Sequence, residues 1–255
     1  MSTPRATIDL NSDMGESFGA WHMGDDAALM PFVTSANVAC GFHAGDPSTI
    51  AATVALAVRH GVAIGAHPGL PDLQGFGRRT MQVTEDEVYG MTLYQAGAVR
   101  AFVEAAGARL NHVKAHGALY NMAARDVALS RGLVRAVKAL GDGVKMYVLS
   151  GSPMEAVARD AGLDVRCEVF GDRRYMPDGT PAPRSRPDAL ITGEAESVAQ
   201  VLRMVREGRL TAVDGSVVTV RADTVCIHGD KPTAVPFVRA LRGALAAEAI
   251  EVVQR

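Results

Sequence analysis

"NVACGFHAGDPSTIAATVALAVRHGVAIGAH" (Asn37–His67) reads as a strand, a helix and a second strand. The first apolar run ends on Cys40, and His43 follows between glycines just ahead of Asp46-Pro47. Aspartate before proline is a strong helix start. The carboxylate accepts from free N–H groups of the first turn, and proline at the first helical position sacrifices no hydrogen bond. "STIAATVALAVRH" then carries a helix, and "VAIGAH" returns to an apolar run that again closes on a histidine, His67.

The alternation extends in both directions. "ATIDL", "SANVAC", "VAIGAH", "LNHVKAH", "VKMYVLS", "DVRCEVF" and "TVCIHG" read as strands, with "ALIT" (Ala189–Thr192) as a candidate eighth. "TEDE" (Thr84–Glu87) and "SPME" (Ser152–Glu155) read as capping boxes at the start of two intervening helices. Strand–helix alternation without a composition break predicts one α/β domain over 1–255 with a parallel sheet. Seven or eight such units in 255 residues suit a closed (β/α) barrel, irregular in strand count. A doubly wound sheet is the alternative, but no G-x-G-x-x-G follows the first strand. The connections 68–83 and 171–188 exceed an ordinary loop and suggest lids or binding segments. "VDGS" (Val213–Ser216) predicts a small hairpin near 211–220.

Apolar residues make up 48% and charged residues 21%, with a formal net charge of -2. This is an ordinary soluble balance, with no electrostatic attraction to nucleic acid or an anionic membrane. No apolar stretch is long enough to span a bilayer and the start has no signal-like apolar region, so a cytoplasmic location is expected. Cys40, Cys167 and Cys226 are widely spaced within apolar runs and are expected to be buried free thiols.

The chemistry gathers at the strand ends. The first strand leads to Asn11, Asp13 and Glu16, the second to His43, the third to His67, the fourth to His116, and the last to His228 and Asp230. In α/β barrels the carboxyl end of the strands is where active sites assemble. Period-2 geometry puts His112, Lys114 and His116 on one face, with His112 deeper as a core histidine. A lysine confined inside a barrel is expected to have its pKa lowered by burial, unless it pairs structurally with an acid such as Asp9. "FGRR" (Phe76–Arg79) and "GDRRY" (Gly171–Tyr175) bring Arg78, Asp172 and Arg173 to the same end, where guanidinium suits an anionic substrate. Arg79 and Arg174 read as solvated. Asp and His also suit a divalent metal, which stays open, although H-x-x-x-H on a strand is no zincin signature. No phosphate loop and no G-x-S-x-G occurs.

"DLNSDMGESFG", "NVACGFHAGD", "GAHPG", "FGRR", "VKAHGALYN", "EVFGDRRY" and "CIHGD" resemble the LamB/YcsF family, in order and over nearly the whole chain. Ala115 stands where the family usually has proline, and Gly171 where it usually has alanine. The resemblance implies an irregular seven-stranded TIM-like barrel related to sugar and polysaccharide deacetylases. It implies ring opening of 5-oxo-L-proline to L-glutamate with ATP as co-substrate of a complex, which needs two further oxoprolinase subunits, B and C. Self-association stays open. The family's positions fall on Asp13, Glu16, His43, His67, Lys114, His116, Asp172, Arg173, His228 and Asp230. On chemical grounds Asp13, His43 or His67 is expected to activate water, with Lys114 and His116 stabilising negative charge. Arg173 would hold the substrate carboxylate, Asp172 would orient a neighbour, and Asn11, Glu16, Arg78, His228 and Asp230 would contact substrate. A metal-dependent amidohydrolase or deacetylase acting without ATP, and a non-catalytic lactam- or carbohydrate-binding protein, are the competing readings.

Overall fold

The structure, a computed structural model, describes residues 6–229 and 234–254. Six strands come first: β1 (Thr7–Met14), β2 (Ser35–Ala39), β3 (Ala63–His67), β4 (Leu110–Lys114), β5 (Lys145–Leu149) and β6 (Val165–Phe170). A two-stranded hairpin, β7 (Arg209–Thr211) and β8 (Val217–Thr219), precedes β9 (Thr224–Cys226), and β10 (Glu251–Val252) comes last. Strands β1 to β6 pair in sequence, all parallel, and β9 closes the ring between β6 and β1. The barrel therefore has seven strands, with β10 added beside the lower end of β1 at Thr7 and Ile8. "ALIT" does not join it. Leu190 instead bridges Arg173 and the Ile191 N–H donates to the Asp172 carbonyl, so this run pairs within its own loop.

Among the described residues eight α-helices connect or flank the strands: α1 (Asp26–Leu29), α2 (Pro47–His60), α3 (Glu85–Ala105), α4 (Gly117–Ala123), α5 (Val127–Ala139), α6 (Pro153–Asp160), α7 (Glu194–Glu207) and α8 (Ala234–Ala247). Asp46 caps α2 as expected, accepting from the Ser48 and Thr49 N–H groups at 2.8 and 2.9 Å. Gly61 ends the helix in the left-handed conformation that glycine adopts without strain. The Thr84–Glu87 capping box is formed at α3. The one expected at Ser152 is not: its hydroxyl donates backwards to the Leu149 carbonyl, and Glu155 accepts from the Gly151 N–H. No helix among the described residues is long and apolar enough to cross a membrane.

Alternation along the strands sorts the two faces. Ile8, Leu10, Val38, Ile64, Val113, Met146, Val148 and Val169 are buried in the apolar core shared with the helices. The opposite face fills the barrel with polar side chains in layers. Lowest is Asp9, accepting from Thr34, Ser35, Tyr147 and Thr224 hydroxyls. Above it Asn11, Asn37 and His112 bond one another. His112 is the core histidine expected, stacked on Tyr147 at 4.0 Å. Gly65 sits opposite in register because a Cβ there would overlap the His112 ring. At the top Lys114 joins Asp13 to Glu168.

Candidate active site

Asp13, near the end of β1, is the hub. Its Oδ1 accepts from Lys114 Nζ at 2.9 Å and Asn37 Nδ2 at 2.8 Å, and its Oδ2 faces His67 Nε2 at 3.3 Å. Burial works against a charged Asp13, but the His67 and Lys114 cations prevail and hold the carboxyl well below its usual range. Lys114 also pairs with Glu168 at 2.8 Å and reaches Cys226 Sγ at 3.2 Å. Burial opposes its charge as well, yet Asp13 and Glu168 keep its pKa well above the ordinary lysine value. The expected lowering is thus reversed, because two carboxylates across the barrel outweigh desolvation. Glu168, fully buried on β6 and bonded by the Tyr120 hydroxyl at 2.8 Å, is a site residue that sequence reasoning missed.

The histidines form a short chain whose protons can be counted. His67 Nδ1 lies 2.7 Å from the Lys114 carbonyl and His116 Nε2 lies 2.8 Å from the Phe76 carbonyl. Carbonyls only accept, so both nitrogens are protonated. His116 Nδ1 then turns a lone pair toward His67 Nε2, 3.1 Å away, and that nitrogen also faces Asp13. A proton on His67 Nε2 satisfies both contacts. His116 stays neutral, since burial and the His67 charge push its pKa down to about 3. His43 lies behind this chain. It is fully buried, stacked on His116 with ring centres 3.7 Å apart, and neither ring nitrogen has a partner. Burial and the adjacent rings hold it well below the usual imidazole pKa. Gly77 closes over the pair, because a Cβ there would come 2.8 Å from His43 Cβ and 2.9 Å from His116 Cδ2.

A cavity of about 390 Å³ opens above Asp13 at the carboxyl end of the strands. It is lined by Glu16, His67, Arg78, Lys114, His116, Arg173 and His228 among those the sequence singles out, while Asn11 and His43 lie beneath or behind the lining. His228 donates from Nδ1 to Asp172 at 2.9 Å, so Asp172 orients this imidazole. Asp230 lies outside the described residues. Arg79 is bound to Asp72 and Arg174 pairs with Glu196 at 2.6 Å, neither in the lining. Both long loops contribute to the wall, through Arg78 and through Arg173 and Arg184. Arg125, Thr180 and Arg184 are further lining residues that no spacing along the chain marks out.

The family model for LamB/YcsF matches residues 8–255. The chain belongs to the LamB/YcsF family. It is 56% identical over 245 residues to the A subunit of a 5-oxoprolinase from Bordetella pertussis, covering 96% of this chain and 97% of that one. It superposes on the crystal structure of a lactam utilization protein from Thermus thermophilus with a TM-score of 0.91 and 51% identity, covering 97% and 99% of the two chains. The catalytic domain of a peptidoglycan N-acetylglucosamine deacetylase from Eubacterium rectale shares the fold at a TM-score of 0.52 and 12% identity, over 100% of this chain and 90% of that one. The expected family and the expected barrel, with deacetylase domains among its structural neighbours, are both found.

In this LamB/YcsF barrel Asp13, Glu16, His67 and His116 each offer a ligand atom, all within 4.8 Å of one another. The outer ring nitrogens are tied to carbonyls, which turns His67 Nε2 and His116 Nδ1 inward as metal-binding imidazoles require. This oxygen and nitrogen set fits a divalent cation. Lys114, 2.9 Å from Asp13, opposes one.

Proposed function

We propose that this chain is the ring-opening component of an ATP-dependent 5-oxoprolinase, converting 5-oxo-L-proline to L-glutamate together with two further subunits. The observation that carries the reading is the state of Asp13 at the foot of the cavity: anionic, open to the cavity and held by His67 and Lys114. Water above it would lose a proton to Asp13, while the Lys114 ammonium and the His67 N–H supply positive charge where oxygen becomes negative. A carboxylate held this low is a weak base, and a lactam carbonyl is a poor electrophile. The two together need an activated carbon, which is what ATP coupling would provide. The names of the relatives support the same substrate. Asp13→Asn tests the reading. In the reconstituted complex, glutamate formation should fall roughly 10²- to 10⁴-fold, with the variant still folded by circular dichroism. Near-normal turnover would remove Asp13 as the base.

The inward-facing nitrogens of His67 and His116 favour one second reading, a metal-assisted amidohydrolase. Here Asp13, His67 and His116 would hold a divalent ion that supplies Lewis acidity. Metal analysis after chelation, followed by activity with and without ATP, separates the two. Activity that needs added metal but no ATP would favour the second.

A further inference from the structure

The ammonium of Lys114 is held much as a metal ion is held. Four acceptors from three strands converge on Nζ: Glu168 Oε1 at 2.8 Å, Asp13 Oδ1 at 2.9 Å, Cys226 Sγ at 3.2 Å and Asn11 Oδ1 at 3.3 Å. An ammonium has three hydrogens. Asn11, Asp13 and Cys226 take them, and Glu168 Oε1, although nearest, finds no aligned donor among the described residues. The Glu168 contact is therefore one of charge alone, without the direction of a hydrogen bond. Lys114 is 3% exposed and Glu168 fully buried, so solvent does not balance either charge.

Two sets of side chains around this cage carry metal-ligand chemistry, and both include Asp13. One is Asp13, Glu16, His67 and His116, and the other is Asp13, Cys226 and His228. In each set the ligand atoms lie within 4.8 Å of one another. Lys114 touches the member common to both, and Cys226 of the second. Asp13 Oδ1 is already filled by Lys114 and Asn37. An ion bound by either set would share the Asp13 carboxylate with the ammonium. Two cations on one shielded carboxylate repel strongly, because little water stands between them.

We infer that Lys114 is the resident cation of the barrel floor and bars divalent ions from both ligand sets. The positive charge at the foot of the cavity is then carried by the chain itself, so no chelator removes it and no supply of ions sets it. The inference concerns which cation the site holds, and it stands or falls separately from ring opening. It does exclude the metal-assisted reading for the unaltered chain.

Metal binding by the full chain tests this, with cobalt(II) as the probe, followed by calorimetry and by visible absorption. The unaltered chain should bind no cobalt at this site, and the ion should not raise its thermal midpoint. Lys114→Met combined with Glu168→Gln removes the ammonium together with its fully buried partner, so that Glu168 is not left as an unmatched charge. That protein should bind cobalt at least about a hundredfold more tightly than the unaltered chain. Adding Asp13→Asn should abolish the gain, since both ligand sets lose their common member. Lys114→Gln, which keeps a neutral donor toward Asp13, is a second variant and should gain affinity in the same sense. Cobalt bound by the unaltered chain as tightly as by the variants would overturn the inference. So would a gain in neither variant, or a gain indifferent to Asp13→Asn. Glutamate formation by the reconstituted complex is measured apart: its absence would sink ring opening and leave the metal result untouched.

Discussion

Asp9 and Asp13 stand on the same strand and face the same barrel interior, one fully buried and the other at the floor of the cavity, yet their carboxyls shift in opposite directions. Burial raises the pKa of Asp9, and the four hydroxyls around it only partly offset that cost. Burial presses on Asp13 as well, but the cations of His67 and Lys114 carry it far below the usual value. Neutral donors satisfy lone pairs without balancing a charge, whereas cations at about 3 Å do both. The lower layer is therefore a hydrogen-bonded tie between strands, and the upper one a charge-separated device open to a cavity.

Breaking the upper layer should cost most. Lys114→Met leaves Asp13 and Glu168 facing each other without their shared cation, and should destabilise the fold by about 3–5 kcal/mol in urea unfolding. A loss under about 1 kcal/mol would mean that the layer is not held by charge. In the lower layer, Asp9→Asn disturbs four hydroxyl bonds and should cost about 1–3 kcal/mol. Turnover per folded complex should not change. If it fell as it does for Asp13→Asn, the division into a structural and a chemical aspartate would collapse. Thr34→Val removes one hydroxyl that both donates to Asp9 at 2.7 Å and accepts from the Leu10 N–H at 2.8 Å. About 1 kcal/mol is expected, read by the shift in urea midpoint.

The pH dependence sharpens the contrast by its sign. The folded pKa of Asp13 lies below the unfolded value of about 3.9. Its contribution is fully present above that value and is lost as pH falls through the folded pKa. Asp9 binds its proton more tightly when folded, so its contribution declines as pH rises from the unfolded value through the folded one. Urea midpoints measured from about pH 6 down to about pH 2 should show a flattened acid limb in Asp13→Asn, below the unfolded value, and a flattened opposite limb in Asp9→Asn, above it. Matching profiles in the two variants would contradict the assignment.

The fold was largely legible because each strand and helix carried local signals: Asp46-Pro47, the Thr84 capping box and apolar runs of strand length. Where those signals misled, a competing contact had taken the same atoms. Ser152 commits its hydroxyl to Leu149 rather than to the helix, and Leu190 and Ile191 pair inside a loop that a short apolar run cannot distinguish from a sheet. Within the site, histidines at strand ends pointed correctly to the mouth, but not to the ring that would be displaced from the cavity, His43. Burial alone predicts a lowered Lys114, because partners across the barrel are invisible along the chain. Glu168 could have been found by the reasoning applied to Lys114, since a charged residue inside a strand core requires an opposite charge. Arg125 and Arg184 had no such marker, because loop residues follow neither period.

The enclosed, partnerless His43 ring has a spectroscopic consequence. A neutral imidazole keeps one N–H, and here that hydrogen has no acceptor and is sealed from solvent beneath Gly77. It should exchange with deuterium only when the segment over it lifts away, so its resonance would time the opening of that segment directly, without an added probe.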